Sequence, residues 1–395
     1  MFGSDRRLKS GSFAKNQRGI ALIVVLLVTA IVTIIVVESR WRFELTFSRA
    51  SNRMASQQTY SYGYGIEDAA KVILRYDITG GDQNKDANGQ QSGFGQNSGG
   101  NADNSDRDSD AADTSKADTL DDIWAEEITL PTDEGYVKIN IVDAFSKFNL
   151  NALSIKTRTK NQTAFEKRFS AQQRLFIRLL QAIPLNDDDA TEAQAQDEQE
   201  YLDLETATSI TEAITDWIDS DNEVTGFGGA ENDYYAGLEP PIVAANRPFI
   251  SVSELLIIQG MTPKLYEKLL SYVTVLPDNT TIFNVNTVPL EMFRAINAPK
   301  ESGPLSIEEA EFLAEEQSSG WEDINEFRAS SGFESTFPAL SDGKANADTD
   351  GLTTASSFFE VNGEVGIGDK IKRTKSLLVR DREQISVLRR SDSLL

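Results

Sequence analysis

The 395-residue chain contains no cysteine and no histidine. Without cysteine no disulfide can hold the fold, whatever the redox compartment, and no thiolate is available as ligand or nucleophile. Without histidine the commonest metal ligand and general base is missing. A Ser-His-Asp or Cys-His nucleophile is therefore excluded. Any metal site must be built from oxygen ligands, which favours calcium over zinc or copper. Positive charge is also scarce: 38 Lys and Arg stand against 62 Asp and Glu, a net charge of -24. That balance argues against nucleic acid, whose binders display basic patches. It suits a solvated surface or divalent cations.

What the chain does have is one long apolar run near its start. Ile20 to Val37 holds only Ala, Ile, Leu, Val and two Thr, with no charge until Glu38. At about 1.5 Å per residue this run can just cross a bilayer as a helix. A short leader precedes it with Arg6, Arg7, Lys9, Lys15, Arg18 and the single acid Asp5, so the remainder of the chain carries a net charge near -28. A secretory signal peptide would have a shorter core and a small-residue cleavage box after it. Here the run continues into ESRWRFELTFSRA. A plain signal anchor accounts for the charge asymmetry, but it does not require Gly19 directly against the apolar run.

A basic leader ending in Arg18-Gly19, followed at once by the apolar helix, resembles the type IV prepilin signal. The resemblance implies cleavage after Gly19 by a prepilin peptidase, leaving Ile20 as the new N-terminus. Pilin-like proteins usually carry Glu at the fifth mature position, and here that residue is Val24. In the family that Glu is thought to pair with the α-amine of the subunit nearer the filament tip. A carboxylate in lipid is costly unless paired, and a subunit at the tip has no amine above it. Within this superfamily the departure resembles minor pseudopilin K of the type II secretion system.

Residues 38–79 read as a continuation of the N-terminal helix, its apolar positions thinning to a stripe, with Gly63 and Gly65 as a candidate bend. Residues 80–118 hold Phe94 as their only large apolar residue and read as a disordered Gly/Asn/Asp-rich loop. A short helix with Trp124 and a period-2 strand at Tyr136 to Ile141 follow. FNLNAL (Phe148 to Leu153) returns as FNVNTV (Phe283 to Val288). Both resemble the I-N-x-N motifs of the pseudopilin K family, and Asn151 and Asn286 are expected to cap helices. The text between and after them is helical. Residues 356–388 alternate again, with Asn362-Gly363 and Gly368-Asp369 as turn signals.

The expected fold is therefore α+β: a pilin-like long N-terminal helix plus an antiparallel sheet, with a large inserted all-α domain. Residues 1–19 are the leader and 20–37 the transmembrane helix. Residues 119–152 and 346–395 form the pilin-like body, and 153–345 the insertion.

The segment DWIDSDNEVTGFGGAENDYYAGLEPP places acids at Asp216, Asp219, Asp221, Glu223, Glu231 and Asp233. Asp219, Asp221 and Glu223 have the spacing of the first EF-hand ligands, but Val224 stands where that loop needs Gly, and Ala230 where it needs Glu. The residues alone fit a calcium loop and a solvated acidic loop equally. The stretch resembles the W-I-D-x-D…G-A-E-x-x-Y segment of the pseudopilin K family, which implies a structural calcium held by these six acids.

ELLIIQGMTP, with Gly260 at its turn, looks like a helix-hairpin-helix. Lys264 and Lys268 alone do not make the positive field that phosphate binding needs, so a packing or protein-contact role is expected. No spacing identifies a catalytic acid and base, so no enzyme activity is expected.

The resemblance as a whole implies a single-pass inner-membrane protein with its bulk in the periplasm. It implies a tip position in the pseudopilus, initiating assembly with minor pseudopilins I and J through the N-terminal helix. The rival reading is a membrane-anchored periplasmic calcium-dependent binding module outside any filament.

Overall fold

The computed structural model describes residues 17–79, 116–133, 135–154, 164–186, 201–338, 346–368, 370–382 and 384–391. The leader up to residue 16 and most of the expected loop, 80–115, lie outside them. The chain divides into two compact units, Met1–Tyr62 and Gly63–Leu395.

The first unit is the long helix α1 (Gln17–Thr79) up to residue 62. It is the one helix among the described residues long and apolar enough to cross a membrane. Its side chains from Leu22 to Val37 are exposed. Thr29 and Thr33, the polar residues of the run, donate their hydroxyls to the carbonyl oxygens of Leu26 and Thr29. They therefore present no unpaired donor to an apolar surrounding. Directly after the run, Arg42 pairs with Glu38 and Arg40 with Glu44, each four residues apart on the helix surface.

In the second unit the last turns of α1 lie on a sheet. Its strands are β1 (Ile128–Thr132), β2 (Gly135–Asp143), β7 (Phe358–Ile367), β8 (Lys370–Asp381) and β9 (Gln384–Ser391), in the order β1-β2-β7-β8-β9 and antiparallel throughout. Ile66, Ala70 and Leu74, three and four residues apart, are the buried face of the helix. Gly63 and Gly65 do not break α1, which runs unbroken through them. Gly363 does not make a turn either: Asn362-Gly363 sits inside β7. A Cβ at Gly363 would come 2.7 Å from Ile66 Cδ1, so this glycine serves the close approach of helix to sheet. Gly368 (φ +55°) is the turn residue between β7 and β8.

A buried charged cluster fastens α1 to the sheet. Lys116 Nζ lies 2.6 Å from Asp77 and 2.7 Å from Asp122. Asp118 is fully buried, pairs with Arg380 on β8 and accepts from the Ser356 amide. Residues 116–118 thus do not belong to a disordered loop as expected, because Lys116 and Asp118 supply and receive buried charge. Burial raises the Asp118 carboxyl to about 6, against the opposing pull of Arg380.

The insertion lies between neighbouring strands. Asp143 at the end of β2 pairs with Phe359 near the start of β7, so the chain leaves the sheet at 144 and returns at 357. These limits are wider than 153–345 because Phe148 to Leu153 and Leu352 belong to the core of the helical domain. Its elements are β3 (Phe148–Asn149), α2 (Phe165–Arg168), α3 (Ala171–Ala182), α4 (Leu204–Ile218), α5 (Asn232–Tyr235), α6 (Pro263–Leu269), β4 (Val273–Thr274), β5 (Phe283–Asn284), α7 (Leu290–Ala295), α8 (Ile307–Leu313), α9 (Ile324–Ala329), α10 (Ser331–Thr336) and β6 (Leu352–Thr353). The turn before α6 is a 3-10 helix (Val252–Ile257), with Gly260 at φ +83° and Thr262 capping α6. The segment with Trp124 is likewise 3-10, Ile123–Ala125.

Two halves of this domain repeat one construction. β3 pairs in parallel with β4, and β5 with β6. The second asparagine of each F-N-x-N then clamps a remote peptide group. Asn151 Oδ1 accepts from the Phe249 amide at 2.8 Å and its Nδ2 donates to the carbonyls of Phe249 and Leu276. Asn286 Oδ1 accepts from the Trp321 amide at 2.9 Å and its Nδ2 donates to the Trp321 carbonyl at 2.9 Å. Five residues beyond each clamped position a glutamate folds back: Glu254 onto the amides of Ile250 and Ser251, Glu326 onto that of Glu322.

Asn151 and Asn286 are thus not helix caps. A buried carboxamide carries both donors and an acceptor, and a remote peptide group satisfies both where a helix N–H would satisfy one. Asn286→Ala is expected to cost about 3 kcal/mol, since it strands the Trp321 N–H and C=O in the core. Chemical denaturation measures it, and a loss under about 0.5 kcal/mol would mean the clamp carries no stability.

The halves are joined by arginines. Arg178, with no exposed surface, donates to the carbonyls of Ala295, Asn297, Ala298 and Glu301, where α7 ends. It shares Asp348 with Arg174, and burial lowers its guanidinium to about 10.

Candidate metal centre

The site is built on α4 and the acidic loop that follows it. Asp203 caps α4 by accepting from the Thr206 amide. One face of the helix packs Ala207, Ile210, Ile214 and Trp217 into the core, and Trp217 meets Tyr235 edge-on at 5.0 Å. Glu212 and Asp216, four residues apart, both point at the loop. Asp216 accepts the Thr225 amide through both oxygens at 3.1 Å. Glu212 accepts the amides of Phe227 (3.2 Å) and Gly228 (2.9 Å) and pairs with Arg168.

The loop winds through successive Asx turns: Asp219 Oδ1 accepts from Asp221 N at 3.1 Å, and Asp221 Oδ1 from Glu223 N at 2.8 Å. Asn246 (φ +45°) donates to the Asp221 carbonyl and to Asn222. Asn232 donates to Asn222 and accepts from the Ala244 amide, which brings Glu231 back over Asp219.

This folding gathers Asp219, Asp221 and Glu231, whose carboxylate oxygens lie within 4.8 Å of one another. Oxygens that ligate one calcium at 2.3–2.6 Å are separated by such spans. Glu231 is 4% exposed, and neither of its oxygens has a hydrogen-bond partner. Burial first, then Asp216 and Asp219, raise its carboxyl to about 7. A buried carboxylate that no hydrogen bond satisfies is what a cation site requires, and the all-oxygen donor set is hard, so the residues fit calcium. The other acids stand differently: Asp216 is turned to the Thr225 amide, while Glu223 and Asp233 are exposed at the rim. Sequence reading passed over Glu212, although its place one helical turn before Asp216 puts it on the same face of α4.

Asp77, Asp118 and Asp122 also come together. There Lys116 and Arg380 occupy the space between the carboxylates, so that cluster is internally compensated.

Residues 146–278, which hold this site, match the family described as Type II secretion system (T2SS), protein K. The type II secretion system protein K of Aeromonas hydrophila is 26% identical over 379 residues, covering 95% of this chain and 97% of that protein. Over nearly its whole length the chain is thus similar to type II secretion system protein K. The Klebsiella pneumoniae member is 25% identical, with 95% and 96% coverage. Among solved structures, the crystal structure of the GspK-GspI-GspJ complex from the enterotoxigenic Escherichia coli Type 2 Secretion System matches with a TM-score of 0.60 at 22% identity. The match covers 88% of this chain and 100% of that one. The long helix, antiparallel sheet and inserted helical domain are thus the fold shared with that structure.

Proposed function

We propose that this protein is the minor pseudopilin at the tip of the type II secretion pseudopilus, a structural subunit rather than an enzyme. In this reading it starts assembly with minor pseudopilins I and J, for export of folded proteins across the outer membrane. The observation that carries the proposal is Val24 in an otherwise standard prepilin start. The apolar helix has no carboxylate to pair with a subunit above it, while the amine of Ile20 remains available to one below. The full-length likeness to protein K supports the same reading. The helix of residues 20–37 holds the chain in the inner membrane, with its bulk in the periplasm, until cleavage after Gly19 releases it for assembly. Calcium would be held by Asp219, Asp221 and Glu231, where it would fix a loop that has little apolar content of its own.

Intact mass and N-terminal sequencing of membrane-extracted protein test the first step. A start at Ile20 that depends on the prepilin peptidase is expected. A chain that keeps its leader in both strains would instead favour the membrane-anchored binding module. Val24→Glu is the companion test: secretion is expected to fall about tenfold or more, because a tip carboxylate has no partner in the apolar layer. Undiminished secretion would remove the tip argument.

A further inference from the structure

The apolar run of α1 is slightly short for a bilayer. Its residues, Ile20 to Val37, rise by about 1.5 Å each to about 27 Å, against a hydrocarbon layer of about 30 Å. The helix continues without a break. Its next turns carry Trp41, Phe43 and Phe47, which are 65%, 71% and 67% exposed. At about 100° per residue, Trp41 and Phe43 stand on opposite sides of the helix. Phe47 follows one turn after Phe43 and stacks on it, with ring centroids 6.3 Å apart. Helical side chains lean toward the N-terminus, here toward the apolar run, so the rings reach back to its edge. A single partner helix covers one stripe and would leave the rings on the other side in water. The interface of a bilayer surrounds a helix on every side, and aromatic rings gather there.

The charges agree with such a place. Arg42 pairs with Glu38 at 2.6 Å and Arg40 with Glu44 at 3.2 Å. The turns that hold Trp41 and Phe43 therefore carry no net charge. Arg49 and Arg53 follow. From Glu38 to Arg53 there are four Arg and two Glu, in a chain whose net charge is -24. Such a basic stretch is attracted to anionic headgroups.

We infer that Trp41, Phe43 and Phe47 form a collar seated in the phospholipid headgroup layer, with Arg49 and Arg53 on its outer side for the lipid phosphates. This rests on the reading of residues 20–37 as a membrane span and sets how deeply that span is drawn in.

The chain has no cysteine, so a single introduced one takes a spin label at one place. Full-length chains with Val28→Cys, Thr46→Cys, Ser48→Cys or Gln57→Cys are reconstituted in vesicles of phosphatidylethanolamine and phosphatidylglycerol. Electron paramagnetic resonance then measures collision with a water-soluble nickel chelate. Positions 46 and 48 lie about 200° apart around the helix. Position 28 should be shielded and 57 open, with 46 and 48 both about threefold less accessible than 57. Trp41→Ser/Phe43→Ser/Phe47→Ser should remove the shielding at 46 and 48 and leave 28 shielded. Positions 46 and 48 as open as 57, or shielding that survives the triple variant, would overturn the collar while the span stands. Shielding at only one of the two would assign the rings to a second copy of the chain instead. An open position 28 would overturn the membrane span itself, and the collar with it.

Discussion

Removal of calcium with EDTA is expected to lower the melting temperature of the detergent-extracted chain by about 10 °C, and excess calcium to restore it. The size follows from linkage: a ligand at a thousand times its Kd stabilises by about 4 kcal/mol, and each kcal/mol moves the melt of a domain this large by about 2–4 °C. Glu231→Gln sharpens the test. In EDTA the variant should melt at or above the wild type, because Glu231 is buried, lacks a hydrogen-bond partner and faces Asp216 and Asp219. In calcium the order should reverse, because a neutral amide is the poorer ligand. A melt that ignores EDTA, or a variant whose rank is the same in both buffers, would remove the metal from this loop.

Arg380→Met is expected to destabilise the fold by about 3–5 kcal/mol, the usual consequence of leaving one half of a buried ion pair alone. Asp118 has no exposed surface and receives the Arg380 guanidinium and the Ser356 amide. Asp77 on α1 and Asp143 at the end of β2 add like charge, and Lys116 and Asp122 complete the cluster. The double variant Arg380→Met/Asp118→Asn should recover most of the loss.

The pH dependence has a definite sign. The Asp118 carboxyl is raised to about 6 in the folded chain, against about 3.9 when unfolded. The folded state therefore holds the extra proton between these values. Stability from this group falls as pH rises from about 4 to 6 and is level above that, a change of at most about 3 kcal/mol. Denaturation curves at pH 4.5 and 7 should show the difference in wild type, and Asp118→Asn should remove it. A variant that keeps the full pH dependence would assign it elsewhere.

The positions that sequence reading recovered are those where local chemistry suffices. An uncharged run long enough to span a bilayer, a period-2 strand at Tyr136 to Ile141 and a Gly260-Thr262-Pro263 turn each depend on neighbours a few residues away. The acidic loop was legible for the same reason: five of its six acids lie after α4, within fifteen residues of one another. Which of them converge was not. Glu231 joins Asp219 and Asp221 through the hydrogen bonds of Asn232 and Asn246, while Asp216 is drawn to the Thr225 amide. The structural role of Asp118 was hidden because it follows a tract of Gly, Asn and Asp, and its partner lies 262 residues away on β8.

By itself, then, the sequence determined the long apolar helix, the α+β class, the likeness to protein K and the acidic stretch, because apolar periodicity and short motifs are properties of contiguous residues. Only the tertiary structure decided that Asn151 and Asn286 clamp distant peptide groups, that Gly363 admits Ile66, that Arg380 balances Asp118 and that Phe227 stands in solvent. Each of these depends on which remote peptide, side chain or charge is brought within a few ångströms, and burial sets its energy only after the chain has closed.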